Sequence, residues 1–257
     1  MRPGTCLCSV LVVCTCLFQS AHTEPLLHPN DAKHTPQDAT NMVNTATGIL
    51  APVYAPLAEH IVREFQLAQK EGIGIDIGSG PGTLIIELAK RTRMHWINAD
   101  INPHFFPGFL KRADEAGLAG RVSAVFADAQ ALPFKDNYAH VIVSRATLQF
   151  WKDKRLAFSE IYRVLKPDGI AFIGRGFSDN LPVDTARQIR AAQKKEDREE
   201  SALTYSIAET ESDLRSIMAS LGIQSYRIHI PNPPGSDGIS YGIWIEIRKE
   251  VTPTTDG

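Results

Sequence analysis

The sequence predicts an α/β fold, a three-layer sandwich in which a mostly parallel sheet lies between two layers of helices. Three observations predict it. From Ile73 onward, short apolar runs of strand length alternate with stretches of helical periodicity, the pattern of βαβ units. The first run ends in Gly78-Ser79-Gly80-Pro81-Gly82, and a helical pattern begins at once. The next apolar run ends in Asp100, 22 positions after Gly78, where ribose-binding carboxylates sit in such units.

The chain has 257 residues, enough for one well-cored domain. It is 43% hydrophobic and 22% charged, with a net charge of −2. That balance gives no support to a nucleic-acid surface, and no nucleic-acid partner is expected. All four cysteines, Cys6, Cys8, Cys14 and Cys16, fall in the first 16 residues. Thr5–Phe18 is a short apolar run preceded by Arg2 and followed by the small residues Ser20 and Ala21. Residues 1–23 therefore read as a signal-peptide-like or membrane-attachment segment. A processed chain would be secreted, periplasmic or membrane-attached; an unprocessed one would be cytoplasmic. Residues 24–44 are polar and carry Pro25, Pro29 and Pro36, which predicts a flexible leader. Over His22–Asn44, the histidines His22, His28 and His34 with Asp31 lack a fixed spacing, so no metal site is expected.

The domain itself is expected over 45–249. Residues 45–67 have helical spacing, with a break expected at Pro52–Pro56. Ile73–Ile77 is the first strand, rich in β-branched residues, and Thr83–Thr92 the helix after the glycine turn. Glycines there allow a sharp turn and a close approach of backbone to a ligand, and the helix start adds unpaired N–H groups. Asp76 lies inside the strand, where a carboxylate is costly unless hydrogen-bonded; backbone N–H groups of the glycine turn are the expected partners. His95–Ile101 is the second strand and Phe109–Ala116 belongs to the second helix. Val122–Ala127 is the third strand, ending at Asp128-Ala129. Val141–Ser144 is the fourth strand. Asp153–Leu165 is an amphipathic helix with Leu156, Ile161, Val164 and Leu165 inward, stopped by Lys166-Pro167-Asp168-Gly169. Strand Ile170–Gly174, a charged helix over Asp184–Glu200, helix Ser212–Leu221, and strands Gln224–Ile230 and Tyr241–Arg248 complete the pattern. Residues 250–257 are expected to be a disordered tail.

The glycine turn, Asp100, the run Asp128-Ala129-Gln130-Ala131-Leu132-Pro133-Phe134 and the run Arg163-Val164-Leu165-Lys166-Pro167-Asp168-Gly169 occur in this order. Together they resemble the class I S-adenosylmethionine-dependent methyltransferases, especially the branch with ubiquinone/menaquinone-type and other small-molecule enzymes. The resemblance covers about Ile73 to Arg175. It implies a Rossmann-like sheet of seven strands, mostly parallel with one antiparallel strand near an edge, and S-adenosyl-L-methionine as cofactor. It implies cofactor contacts at Asp76, Gly78, Ser79, Gly80, Gly82, Asp100, Ile101, Asp128, Ala129 and Ser144. Asp100 would accept from the ribose hydroxyls and Asp128 from the adenine amino group, while Asp76 would reach the cofactor's amino group through water. Tyr54 would cap the methionine moiety, or serve as ordinary packing.

The carboxyl end of the fourth strand should face the methyl group and the acceptor, since open α/β sheets bind ligands where strand order reverses. Arg145 and Trp151 are the substrate-side candidates there. Arg145 would hold an anionic substrate group, or pair with Asp128 or Asp179. No catalytic base is fixed by the sequence; His104, His140 and Tyr241 are the candidates if a proton must leave. The family usually has an acidic residue just before this strand, where this chain has Ala139-His140. The implied reaction is in-line methyl transfer to the O, S, N or C atom of a small molecule. A catalytically silent binding protein of the same fold, and a protein or nucleic-acid methyltransferase, are the alternatives. A nicotinamide oxidoreductase shares the glycine turn and Asp100 but leaves the Asp128–Phe134 and Lys166–Gly169 runs unexplained. The oligomeric state is not determined.

Overall fold

The structure, a computed structural model, describes residues 34–196 and 206–251. The signal-like segment 1–23, its four cysteines and most of the 250–257 tail lie outside the described residues. Two helices open the domain, α1 (Pro36–Thr47) and α2 (Ala51–Glu64). Then come β1 (Ile73–Ile77), α3 (Thr83–Arg91), β2 (His95–Asp100), α4 (Phe106–Glu115), β3 (Val122–Phe126), β4 (Ala139–Arg145), α5 (Lys154–Val164) and β5 (Leu165–Gly176). The described part of α6 (Val183–Glu196), α7 (Ile207–Leu221), β6 (Tyr226–His229) and β7 (Gly242–Arg248) follow. Among the described residues no helix is long and apolar enough to cross a membrane.

The seven strands form one sheet in the order β3-β2-β1-β4-β5-β7-β6. All pairs are parallel except those of β7, which runs antiparallel to β5 and β6. β6 reaches β7 without an intervening helix, and a connection of that kind returns the chain antiparallel. The strands are apolar on both faces because both are covered. Trp96, Val141, Val143, Phe172 and Trp244 face the layer containing α2, α3, α4 and α6. Ile75, Ile77, Ile142, Ile173 and Ile245 face α5 and α7. In β1 the period of two therefore turns Asp76, between Ile75 and Ile77, toward α2.

Several sequence expectations need correction. Part of the flexible leader is helix: Thr35 caps α1, its hydroxyl accepting from Asp38 N while Asp38 Oδ2 accepts from Thr35 N at 3.0 Å. This capping box, with Pro36 in the first turn, nucleates a helix that a polar composition disguised. The break between the first helices lies at Gly48, not at Pro52–Pro56. A Cβ at Gly48 would meet Asn44 O at 2.7 Å. Pro52 sits in the first turn of α2, where a missing N–H costs little. α2 continues through Pro56 because Val53, Tyr54, Leu57, Ala58 and Ile61 are buried. Leu156 is 45% exposed; α5 buries Ala157, Phe158, Ile161 and Val164 instead. Lys166–Gly169 forms a bulge within β5, since Leu165 pairs with Ala139 and Ile170 already pairs with Val141. Asp168 has φ +60° there, a conformation aspartate tolerates better than most residues.

Candidate functional site

Strand order reverses between β1 and β4, and the carboxyl ends of β1, β2 and β4 carry the glycine loop, Asp100 and Arg145 respectively. Ligands in open α/β sheets bind at that switch point.

The three loop glycines have different reasons to be glycine. All have positive φ: +65° at Gly78, +54° at Gly80 and +72° at Gly82. A Cβ on Gly78 would lie 2.4 Å from Thr147 Cγ2, and one on Gly82 would lie 2.1 Å from the Phe109 ring. These two allow the chain to pack against itself, not against a ligand. Gly80 differs: its nearest neighbours in that direction, Met42 on α1 and Phe105, are 3.9 Å away. Gly80 is thus the one of the three at which a Cβ would meet no clash, only Met42 and Phe105 at van der Waals distance.

Asp100 braces this loop. Its Oδ2 accepts from Gly80 N at 2.7 Å and its Oδ1 from Asn102 N at 2.8 Å. Burial pushes its pKa up, while the amide donors of Asn102 and Gly80 hold it down. Asn98, two residues earlier, donates its amide to Gly80 O at 3.0 Å and is fully buried. The sequence reading missed Asn98; a polar residue inside the apolar run Trp96–Ile101 was the available signal. It also missed Met42; Thr147, in the segment after β4 expected to face the methyl group and the acceptor, packs on Gly78 instead.

Asp76 is 2% exposed. Its Oδ2 accepts from the Ser79 hydroxyl at 2.8 Å, not from the expected backbone amides. Its Oδ1 is buried with no hydrogen-bond partner among the described residues. Burial raises its pKa to about 7; the Ser79 hydrogen bond and the Arg145 charge work against this rise, and the Asp100 charge adds to it.

Arg145 ends β4 beside this carboxylate. It pairs with neither Asp128 nor Asp179. Asp128 accepts from Gln130 N at 2.9 Å in its own turn, and Asp179 binds His229 Nε2 at 2.7 Å. Arg145 Nε donates to Gly176 O at 3.3 Å, and the guanidinium lies over the Tyr54 ring, 5.3 Å from its centroid. Arg145 forms no ion pair with a carboxylate among the described residues. Burial is the main influence lowering its pKa. Tyr54 is buried, and burial raises its pKa, so its hydroxyl stays protonated and able to donate. Tyr54, Asp76, Ser79, Gly80, Asp100 and Arg145 therefore converge on one mouth.

Other candidates fall elsewhere. Ser144 is 1% exposed and donates to Ile77 O at 2.7 Å, tying β4 to β1 beneath the loop. Ala129 is buried in the apolar core; Ile101, next to Asp100, is half-buried. Trp151 is core: it packs edge-on against Phe158 of α5, so its apolar ring is spent on the sheet layer. His104 is exposed, in a 3-10 turn after β2. Tyr241 is buried and its hydroxyl donates to Leu181 O at 3.0 Å, so it is a structural tie. His140 lies at the amino end of β4, five residues before Arg145, a separation of about 17 Å along a strand. Its Nδ1 accepts from Ile73 N at 3.0 Å, so it cannot serve as a base at the mouth.

Strand order, glycine loop and acidic strand end define a nucleoside-cofactor enzyme of the doubly wound α/β class. Comparison with known proteins makes this specific. A family model described as a methyltransferase domain matches residues 75–173. The crystal structure of a Methanococcus maripaludis protein assigned as S-adenosyl-L-methionine-dependent methyltransferase is 33% identical, with a TM-score of 0.72. That match covers 86% of this chain and 96% of that one. The Vibrio cholerae ubiquinone/menaquinone biosynthesis C-methyltransferase UbiE is 35% identical over 97 residues, 37% of each chain. The human mitochondrial arginine-hydroxylase NDUFAF5 is 31% identical over 130 residues, 51% of this chain and 34% of that protein. The chain thus spans about a third of the length of these two curated relatives. It belongs to the class I S-adenosylmethionine-dependent methyltransferases.

Proposed function

We propose that this chain transfers a methyl group from S-adenosylmethionine to a small acceptor carrying an anionic or acidic group. The observation that carries the reading is the unsatisfied pair at the mouth: an orphaned Asp76 oxygen and an Arg145 guanidinium with no carboxylate partner among the described residues. A buried charge without a partner is unfavourable, so both groups fit a ligand of opposite charge. The residues also suit the family's cofactor. Gly80 has no side chain to stand between the loop backbone and a ligand, and Met42 and Phe105 flank it with apolar surface. Each Asp100 oxygen keeps a further lone pair for a ribose hydroxyl. Asp76 suits an ammonium group.

When bound, S-adenosylmethionine supplies an electrophilic methyl group on its sulfonium. The chain's own contribution is to bind and orient. Arg145 holds an acceptor anion, its plane fixed by the Tyr54 ring and by Gly176 O. Tyr54 donates its hydroxyl without ionising. Correct placement of two reactants can lower a barrier by roughly 7–11 kcal/mol without acid or base, so no proton-transfer residue is required for an acceptor that is already ionised.

A second reading follows from the likeness to a protein named an arginine-hydroxylase: the same fold serving an acceptor other than a free small molecule, an arginine side chain included. The test is calorimetric titration with S-adenosylmethionine, followed by transfer of labelled methyl to phenolic, thiol and carboxylate acceptors and to arginine peptides. Arg145→Gln should raise KM for anionic acceptors while leaving cofactor affinity within about threefold. Loss of cofactor binding in that variant would reassign Arg145 to the cofactor. Cofactor binding without transfer to any acceptor would favour the silent binding protein.

A further inference from the structure

At the amino end of the sheet, opposite the mouth, lies a cleft of about 120 Å³ lined by Lys70, His140, Lys166, Pro167, Asp168 and Gly169. The proposed methyl transfer makes no use of it. The His140 ring is fixed in place. Its Nδ1 accepts from Ile73 N at 3.0 Å. Gly72, with φ +119°, lies so close to the ring that a Cβ there would come within 2.4 Å of it. Because Nδ1 accepts, the proton of the neutral ring resides on Nε2. Nε2 faces Lys166 Nζ at 3.3 Å. An imidazole N–H and an ammonium are both donors, and neither can accept from the other. Burial first, then the charges of Lys166 and Lys70, hold His140 toward its neutral form. Neither lysine forms an ion pair with a carboxylate among the described residues, although Asp168 lines the same cleft. Donors from β4, β5 and the segment before β1 thus converge on a space where, among the described residues, neither lysine is ion-paired.

We propose that this cleft binds a phosphate-type oxyanion between Lys166, Lys70 and the Nε2–H of His140. An oxyanion accepts from all three and replaces a donor–donor contact with charge-assisted hydrogen bonds. The volume is the share of roughly four water molecules at about 30 Å³ each, which admits a tetrahedral anion. The ligand is a free oxyanion or the terminal phosphate of a phosphomonoester. The site stands apart from the mouth and does not depend on the methyl-transfer reading.

The experiment follows the His140 imidazole nitrogens by NMR in the full chain at constant ionic strength. Inorganic phosphate and phenyl phosphate are titrated separately against a chloride reference. A saturable shift of the His140 resonances, with a rise in its pKa, is expected with at least one of them, and the tighter ligand identifies the source. Lys166→Gln and Lys70→Gln should each weaken the titration about tenfold or more, as loss of a charge-assisted contact does, and Arg145→Gln should leave it unchanged. Thermal melts confirm that each variant is folded. Failure of both ligands to shift His140 overturns the proposal. So does a shift that survives both lysine substitutions, or one abolished by Arg145→Gln.

Discussion

Replacing Asp76 by asparagine should make the protein's stability less sensitive to pH in a calculable way. Asp76 is almost wholly buried, and its pKa rises from 3.8 to about 7, chiefly through burial. Between those values the folded chain holds a proton that the unfolded chain has released. Stability of the wild type therefore falls as pH rises through that window, and becomes level above about pH 7. Three pH units at about 1.36 kcal/mol each set an upper limit of about 4 kcal/mol for the loss. The side chain introduced by Asp76→Asn does not titrate and carries none of it. It can still accept from Ser79, but its amide nitrogen meets no acceptor where Oδ1 lies now, an offset of about 1–3 kcal/mol at every pH. The variant should be the less stable protein near pH 4 and should gain on the wild type up to pH 7. Asp100 titrates in both proteins and largely cancels from the difference. Urea unfolding at half-unit intervals from pH 4 to pH 8 measures the difference directly. A difference that is flat over this range, or that moves against the variant as pH rises, refutes the reasoning. It would mean that Arg145 or water already satisfies the ionised carboxylate.

The glycine loop gives a second test. Gly82→Ala should cost several kcal/mol and lower the melting temperature, because its Cβ runs into the Phe109 ring in a left-handed conformation. Gly80→Ala faces no such clash, so it should cost only about 1–2 kcal/mol yet weaken S-adenosylmethionine binding in calorimetry; unchanged cofactor affinity would sink the reading of Gly80 as the point where the backbone meets the cofactor. Tyr241→Phe should lower stability by about 1 kcal/mol through loss of the bond to Leu181 O, with kcat and its pH profile unchanged. A pH profile that loses one limb would restore Tyr241 as a catalytic candidate. Thr35→Ala should cost about 1 kcal/mol and raise hydrogen exchange in α1, which carries Met42.

Much of the fold was legible because its determinants are local. β-branched runs, helical spacing and a glycine-rich turn act over a few residues, so the strands and Thr83 as the start of α3 could be placed from the chain alone. Asp100 was legible for the same reason, since its distance from the glycines fixes the end of β2. α1 was not, because its signal is two side chains, Thr35 and Asp38, exchanging hydrogen bonds, in a stretch whose composition reads as unstructured. Ser79 as the partner of Asp76 lay three residues away, and only the path of the turn decided between it and the backbone.

The sequence by itself determined the class of fold, the glycine loop and the acidic end of β2, because periodicity and backbone chirality are properties of neighbouring residues. The tertiary structure alone decided which polar groups meet. β4 lies beside β1, so Arg145 stands next to Asp76 and under Tyr54 instead of reaching Asp128 or Asp179. β7 lies antiparallel against β5, so Tyr241 ties down Leu181. The direction of β4 sends His140 to the far end of the sheet, where it faces two lysines. Strand order follows from crossovers that span tens of residues, and no local pattern records which two strand ends those crossovers bring together.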